Sequence, residues 1–345
     1  MRQLITAMLL FALACASCDV HEFPSGEKIP VYNVKLEFDT DFVQQDYSYT
    51  KVEDHTGNYD MRYTVRAFPV VKTSLSTTIS REYAWEHTFT SNIQNDNYNT
   101  ERKIEMDLPD GDYILHVWSD FVKAGTTDHH FYNPDNMGEI TLHAEHKGNT
   151  DMRDAFRGTL YFRAAKDTTD QGRQLLVRME RPLAKFEFRA TDLKEFVEKE
   201  YAKTKQGDAA SPSQADSIIQ QAIQNYTVRF SYTGFMPCSF DMFSDKPNDA
   251  KTGVTFETVL TRLGNEEISM GFDYVYVNGA ESNIKMEMAM YGKDGEEIFE
   301  TNPIVVPVKR GQHSIMRGPF LTIDTKGGVG INPDFDGEFN YEIKY

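Results

Sequence analysis

The chain has 345 residues, and its hydrophobic content of 40% and aromatic content of 12% are sufficient for packed cores, which excludes a disordered stalk. Its formal net charge is −17, and because polyanions are bound by basic patches that this sequence lacks, nucleic acid is excluded as a partner. Domain-size statistics favour two domains of ~150 residues each.

The N-terminus predicts an export signal followed by a lipid anchor. Arg2 precedes a largely apolar run over residues 4–16, which is shorter than the ~20 residues that a membrane-spanning helix needs. Small residues then lead to Cys18, and this order resembles a bacterial lipobox, in which the cysteine thiol is acylated and becomes the first residue of the mature protein. We therefore predict a lipoprotein signal peptide over residues 1–17 and lipidation at Cys18. The alternative is an ordinary cleaved signal peptide with incidental cysteines.

Residues 18–30 form a predicted tether. Asp19 and Glu22 resemble the acidic signal that sends lipoproteins of Bacteroidetes to the outside of the outer membrane. The expected location is therefore the outer membrane, lipid-anchored and surface-exposed. Beyond Cys15 in the signal and Cys18, Cys238 is the remaining cysteine, so no intramolecular disulfide is expected. Cys238 is predicted to be buried and inert.

The first half of the chain alternates with a period of two, which is typical of β-strands. "VYNVKLEFD" and "MRYTVRAFPV" read as half-buried strands, and "GTLYFRA" ends the series. In "IEMDLPDGDYILHVWSDFV" the turn residues Pro109-Asp110-Gly111 predict a hairpin between two strands. The polar stretch "KDTTDQGR" predicts a domain boundary between residues 165 and 175. The N-terminal β-sandwich domain is thus predicted over residues 31–168.

The second half continues this pattern around two predicted helices. In "TDLKEFVEKEYAK" Leu193, Phe196, Val197 and Tyr201 share one helical face, and Thr191 or Asp192 can cap the first turn. "SQADSIIQQAIQNY" predicts a second, shorter helix. Because these helices do not alternate with strands, the expected fold class is all-β, with two tandem antiparallel sandwiches and a short helical insertion in the second. The second domain is predicted over residues 172–323, followed by a C-terminal tail, 324–345, with a terminal strand.

Two groups of polar residues are candidate metal ligands. His129 and His130, with Asp128 or Asp135, could bind a metal ion, but adjacent residues of a strand point to opposite faces, which favours an exposed loop. "SDKPNDAKTG" and "NPDFDGE" carry clustered carboxylates without the ligand register of a calcium-binding loop, which favours solvated turns. No metal ligands are predicted.

No motif in the sequence predicts catalysis. A nucleophile elbow and an "HExxH" sequence are both absent, so no catalytic residues, no cofactor and no enzyme activity are predicted. Trp85 and Trp118 could stack on sugars, although aromatic residues in alternating strands more often pack in cores. The tripeptides around Thr168 and Ser217 resemble an acidic-hydroxyl-apolar glycosylation sequon of exported Bacteroidetes proteins.

Several motifs along the chain carry a family resemblance: "CDVHEFP", "GDYILHVWSDFV", "GNTDMRDAFRG", "RPLAKFEFRATDL" and "VPVKRGQHSIMRGPFLT". Together they resemble Bacteroidetes outer-membrane lipoproteins related to fimbrium-anchoring subunits and fimbrillins. The resemblance implies two tandem transthyretin-like β-sandwich domains, a lipid anchor and a non-enzymatic role in building or attaching surface fibres. It also implies that residues 306–310 end one strand before a polar turn and a final strand.

The resulting hypothesis is a cell-surface lipoprotein that acts as a structural, anchoring or adhesive component of fimbria-like fibres. The alternative is a glycan-binding surface lipoprotein associated with polysaccharide uptake, and a third possibility is a hydrolase. A glycan-binding protein should expose two or three coplanar aromatic rings, whereas an assembly protein should expose a strand edge or a groove. In the tail, residues 339–345 alternate as a strand that docks in its own domain or enters a neighbouring subunit.

Overall fold

The computed structural model describes residues 29–38, 58–92, 98–143, 145–167, 173–203, 210–264, 266–322 and the backbone of 340–344. Strands of the first half are β1 (Val31–Phe38), β2 (Tyr59–Lys72), β3 (Thr77–Ile79), β4 (Trp85–Asn92), β5 (Thr100–Glu105), β6 (Gly111–Lys123), β7 (Tyr132–Asn133), β8 (Ile140–Leu142), β9 (Ala155–Ala164) and β10 (Gln174–Glu180). A single 3₁₀ turn, Asp151–Arg153, precedes β9.

The second half contains two helices and the remaining strands of the described residues. The helices are α1 (Leu193–Lys203) and α2 (Pro212–Asn225). The strands are β11 (Leu183–Ala190), β12 (Thr227–Tyr232), β13 (Met236–Asp241), β14 (Lys246–Lys251), β15 (Thr255–Val259), β16 (Thr261–Leu263), β17 (Glu267–Tyr276), β18 (Glu281–Tyr291), β19 (Glu297–Glu300), β20 (Ile304–Lys309), β21 (His313–Gly318) and β22 (Asn340–Lys344).

Eight strands of the first half form one sheet in the order β3-β2-β6-β9-β10-β1-β5, with β4 also paired to β2. The sheet curls so that its outer strands β4 and β5 approach each other. The Arg102 guanidinium on β5 lies only 5.4 Å from the ring centroid of Phe89 on β4. β1 shows the predicted alternation, with Tyr32, Val34 and Leu36 buried. The curled sheet therefore encloses one face as a core.

Strand β2 differs from the half-buried strand that its sequence predicts. Met61 and Tyr63 face the core as expected, but Arg62, Thr64 and Arg66 on the opposite face are also buried. That face is covered because the segment around β7 and β8 packs against it, as the hydrogen bond from Arg62 Nη2 to the Tyr132 carbonyl shows (3.2 Å). Both faces of β2 are thus interior.

The predicted hairpin at Pro109-Asp110-Gly111 is wrong. β5 pairs with β1, whereas β6 pairs with β2 and β9, so the chain crosses the sheet between β5 and β6. The residues do form a bend, in which the Tyr113 hydroxyl donates to the Pro109 carbonyl (3.0 Å). Turn residues specify a local change of direction, but the partner of each strand is chosen by packing across the sheet.

Two sheets pack face to face in the second half, which confirms the all-β sandwich fold class. Their orders are β16-β17-β11-β21-β22 and β15-β12-β18-β19, with β20 also paired to β18. Phe186, Phe188, Phe230 and Met288 belong to the core between them. The two helices are inserted between β11 and β12, as the sequence predicts.

The two helices begin in different ways. Ser211 and Gln214 form a capping box at the start of α2, where the Gln214 side chain accepts from the Ser211 backbone N–H (2.9 Å). At α1, Leu193 is buried as predicted, but the Asp192 carboxylate accepts hydrogen bonds from the backbone of Leu321 (3.2 Å) and Thr322 (2.7 Å). Asp192 therefore fastens the chain after β21 to the start of α1.

The sheet pairing also moves the boundary between the two halves. Strand β10 follows the predicted boundary at 168–172, yet it pairs with β9 and β1 in the first sheet. The chain leaves that sheet at Arg181 and Pro182, one strand later than predicted. The polar stretch "KDTTDQGR" connects two strands of the same sheet. Its composition did not reveal this, because a connection within a sheet and a linker between domains are equally polar.

Buried charged groups join the two halves. Asp273 on β17 accepts hydrogen bonds from His146 (2.7 Å) and from the Tyr232 hydroxyl (2.8 Å), and its other oxygen lies 3.2 Å from Arg153 Nε. Burial acts to raise the pKa of Asp273, but Arg153 and His146 together hold it below its ordinary value. A four-stranded sheet, β14-β13-β8-β7, also combines strands from both halves.

The terminal strand β22 pairs with β21 in antiparallel register, from Arg317 opposite Asn340 to His313 opposite Lys344. The predicted terminal strand is therefore present over 340–344 and docks on its own chain. Residues 339 and 345, which the prediction included, lie outside the described residues, as do the signal peptide, most of the tether and 323–339.

Candidate functional site

Strand β4 lies at an edge of the first sheet. It pairs with β2 from Trp85 opposite Ala67 to Asn92 opposite Asp60, and no strand within the described ranges pairs with its outer side. Trp85, His87 and Phe89 follow one another on the same face, with neighbouring ring centroids 6.0 and 5.8 Å apart and interplanar angles of 23° and 33°. Edge strand β4 thus carries a row of three aromatic rings on the face that it shares with Tyr63 of β2, on which Phe89 stacks.

A cleft lies beside the start of β4, and we call it the Tyr83 cleft. It consists of two lobes of about 340 and 540 Å³, and Arg66, Tyr83 and Asp135 line both. Arg81, Glu82 and Asn136 also line the first lobe, and Glu86, His87 and Thr88 line the second.

Arg66 forms the rigid floor of the Tyr83 cleft. Its side chain is 8% exposed, and Nη1 donates to the carbonyls of Pro134 and Asp135, each at 2.7 Å. Its Nε donates to Glu86 at 3.1 Å. Because these bonds join β2, β4 and the loop after β7, the position of Asp135 relative to β4 is held by one guanidinium.

Tyr83 forms an aromatic wall of the cleft. The residue is 44% exposed, its hydroxyl donates to Glu86 (3.1 Å), and the Arg66 guanidinium lies 4.9 Å from its ring centroid. The hydrogen bond to Glu86 raises the pKa of Tyr83 above its ordinary value. The ring is therefore held at both its hydroxyl and one face.

Arg81 connects the cleft to the second half of the chain. Its two terminal nitrogens donate to the two carboxylate oxygens of Asp241 at 3.0 and 3.4 Å, and its guanidinium lies 4.1 Å from the Phe243 ring centroid. A Cβ added at Gly138 would come within 2.8 Å of Arg81 Nη1. Glycine at position 138 thus permits the close approach of Arg81.

The sequence profile of a family of unknown function, DUF6562, matches residues 27–344. The chain belongs to this family. A comparison with the sequences of curated proteins gives no match.

Several solved structures are similar to this member of DUF6562. A candidate adhesin from Bacteroides thetaiotaomicron is 12% identical with a TM-score of 0.40, covering 84% of this chain and 92% of that one. A candidate adhesin from Bacteroides ovatus is 10% identical with a TM-score of 0.38, covering 79% and 78%. A fimbrial assembly protein from Parabacteroides distasonis is 12% identical with a TM-score of 0.36, covering 84% and 91%.

The histidines that the sequence analysis weighed as metal ligands have separate partners in this DUF6562 protein. His129 Nε2 lies 3.1 Å from an Asp135 carboxylate oxygen, but Arg62 Nη1 lies 2.9 Å from His129 Nδ1 and so occupies the other ring nitrogen. His130 packs instead against the Phe131 ring, with centroids 4.3 Å apart. Among the described residues, no three His, Cys, Asp or Glu side chains are placed to hold a metal ion.

Arg62 is itself part of a buried ion pair. It donates to both carboxylate oxygens of Asp120, at 2.9 and 2.7 Å. Burial raises the pKa of Asp120 to about 6, although the adjacent Arg62 acts to lower it. The ion pair therefore orients Arg62 toward His129. It also explains how an arginine can be buried on β2, since its charge is balanced by Asp120.

The other residues considered from the sequence have different surroundings. Trp118 is fully buried, whereas Trp85 lies on edge strand β4. Cys238 is buried, as predicted, and burial raises the pKa of its thiol. Ser217 is exposed on α2, while Cys18 and Thr168 lie outside the described residues. No helix in the described ranges is long and apolar enough to cross a bilayer.

Sequence reasoning missed the Tyr83 cleft. Arg66, Tyr83 and Asp135 come from separate elements, and nothing in the local sequence around each one indicates a shared site. The one signal in the sequence is that Tyr83 lies three residues before Glu86, the residue to which its hydroxyl donates a hydrogen bond. Such a spacing is too common to predict a cleft.

Proposed function

We propose that this protein is a non-enzymatic component of the cell surface, which anchors or builds fimbria-like fibres and is attached to the outer membrane through a lipid on Cys18. The motif resemblance supports this role. The structural observation that carries it is the pairing of β22 with β21, because the last strand of the chain supplies backbone hydrogen bonds to an otherwise open sheet edge.

A strand at such an edge is exchangeable between chains. Backbone pairing depends little on sequence, so the position beside β21 can accept β22 of the same chain or the equivalent strand of a neighbour. Residues 323–339 separate β22 from the end of the second sandwich. A fully extended segment of that length spans roughly 55 Å, which is enough to reach an adjacent subunit.

The test is to lock β22 onto its own chain. Ser314 lies opposite Ile343 in the β21–β22 register, and paired residues of antiparallel strands are close enough for a disulfide. The double variant Ser314→Cys/Ile343→Cys, when oxidised, should no longer recover fibre subunits from the cell surface. Reduction should restore recovery, and each single variant should behave as wild type. Equal recovery by the oxidised double variant would contradict strand exchange.

A second candidate function, glycan binding at the surface, is favoured by one observation. The Tyr83 cleft presents a half-exposed aromatic ring among polar side chains. This function does not exclude the first, since one surface component can be both part of a fibre and adhesive. Its test follows from the residues of the cleft.

A further inference from the structure

We propose that the Tyr83 cleft binds a neutral saccharide. This inference rests on the second candidate function and names its site and its ligand class. The cleft is independent of the pairing of β22 with β21, because its lining comes from β2, β4 and the loop segments 81–83 and 135–137.

The first argument is the aromatic wall. The ring of Tyr83 is held by its hydrogen bond to Glu86 and by the Arg66 guanidinium, yet the residue remains 44% exposed. A fixed, amphipathic ring loses little conformational freedom on binding, and its apolar face fits the C–H face of a pyranose. A ring fixed in this way is therefore prepared for a sugar.

The second argument is the mixture of hydrogen-bonding groups around that ring. Exposed carboxylates accept, with side-chain exposures of 45% for Glu86 and 70% for Asp135. Arg81, 61% exposed, donates, and the exposed amide of Asn136 can do both. Neighbouring hydroxyls of a sugar each donate and accept, so they match a wall that offers both functions.

The third argument is charge. The two guanidinium groups of the cleft are already paired, Arg66 with Glu86 and Arg81 with Asp241. An anionic ligand would find no unpaired cation among these residues, and the net charge of −17 opposes any polyanion. Asp135 is likewise engaged with His129. The balance of charge therefore disfavours an acidic ligand, and the carboxylates of the lining remain as acceptors for the hydroxyls of a neutral one.

The fourth argument is size and continuity. Each lobe, at about 340 and 540 Å³, lies in the range of ~300–1,000 Å³ that is typical of small-ligand sites. Both lobes are lined by Arg66, Tyr83 and Asp135, so they adjoin each other. A ligand can therefore span both lobes, which suits an oligosaccharide better than a single sugar.

The experiment is a binding assay on the full-length protein in detergent. The probes are cello-, malto-, manno- and galacto-oligosaccharides, with oligogalacturonate as the acidic and chitosan oligosaccharide as the cationic counterpart. At least one neutral probe should bind, and Tyr83→Ala should weaken its binding about tenfold or more, while Tyr83→Phe retains most of it. Tyr161→Ala is the matched control, because Tyr161 is a 51% exposed tyrosine on β9 that does not line the cleft.

The proposal is overturned if no neutral probe binds at millimolar concentration, if only a charged probe binds, or if Tyr83→Ala binds as tightly as Tyr161→Ala. The saccharide proposal and the strand-exchange proposal can fail independently, because saccharide binding and recovery of fibre subunits are measured separately. The oxidised Ser314→Cys/Ile343→Cys protein should still bind the saccharide, and Tyr83→Ala should still recover fibre subunits. Loss of saccharide binding in the oxidised protein would contradict the independence of the two sites.

Discussion

Arg310, at the end of the "VPVKR" motif, forms a two-point ion pair with Asp245. Arg310 Nη1 donates to Oδ2 at 2.9 Å and Nη2 donates to Oδ1 at 2.7 Å. Asp245 also accepts from Arg157 on β9 at 2.9 Å. One carboxylate therefore holds the turn after β20 and a strand of the first sheet together, which gives the arginine of this sequence motif a structural role.

We expect Asp245→Asn to lower the free energy of unfolding by about 1–2 kcal/mol, measured by chemical denaturation, because two guanidinium groups lose their common acceptor charge. Asparagine retains the backbone preference for the left-handed conformation of this residue, whose φ is 57°. Asp294→Asn, in an exposed turn, is the control and should change stability little. Equal effects of the two variants would show that the ion pair contributes nothing.

Gly271→Ala should destabilise the second sandwich by roughly 2–4 kcal/mol. Gly271 has a φ of +144°, and an added Cβ would lie 2.7 Å from atoms of Phe230 and Thr258 in the opposite sheet. Gly253→Ala separates the two causes, since Gly253 has a φ of +68° but open space around it, and should cost only about 1 kcal/mol. Similar denaturation midpoints for both variants would contradict this close approach.

His116 should make stability depend on pH. It is 2% exposed between Phe68 and Phe243, and burial lowers its pKa to about 4. Between about pH 6.5 and about pH 4, the His116 imidazole binds a proton in the unfolded chain but not in the folded protein. This contribution to the free energy of unfolding is therefore lost as the pH falls from about 6.5 to about 4.

Between pH 7 and pH 5 the loss should be about 2 kcal/mol. In His116→Asn this part of the pH dependence should disappear from denaturation curves. Thr159→Val keeps the histidine but removes its hydrogen-bond partner, so it should retain the dependence. An unchanged pH profile in His116→Asn would assign the effect to other groups.

Deletion of residues 334–345 should lower the melting temperature of the isolated protein by a few degrees, because β21 loses the backbone partners that β22 supplies. A synthetic peptide of residues 334–345, added in excess, should restore the melting temperature by mass action, and a scrambled peptide should not. If the deleted protein melts at the wild-type temperature, the docking of β22 adds no stability.

Cys18→Ala should release the protein from the membrane fraction. Each buried methylene of an acyl chain contributes ~0.8 kcal/mol to membrane binding, so two or more chains anchor a protein stably. Cys15→Ala, three residues earlier in the predicted signal, should leave the protein in the membrane fraction. If Cys15→Ala releases the protein and Cys18→Ala does not, the prediction that Cys18 carries the lipid is wrong.

The period-two patterns predicted the all-β fold class and most strands, and the helical spacing of Leu193, Phe196 and Val197 predicted α1. These features are local: a strand or helix must turn its apolar side chains to one face, so their spacing is written directly in the sequence. The lipid anchor at Cys18 rests on a local pattern in the same way, and it stays a prediction.

Tertiary structure alone decided which strands pair, where the chain leaves the first sheet, and which residues form the Tyr83 cleft. Partner choice depends on contacts between residues far apart in sequence, and turn or linker composition is the same for either outcome. Arg62 illustrates the reason: its position on β2 is polar by pattern, and only Asp120 and the covering segment make it a buried charge. Asp135 reaches Tyr83 in the same way, because Arg66 holds the loop against the sheet.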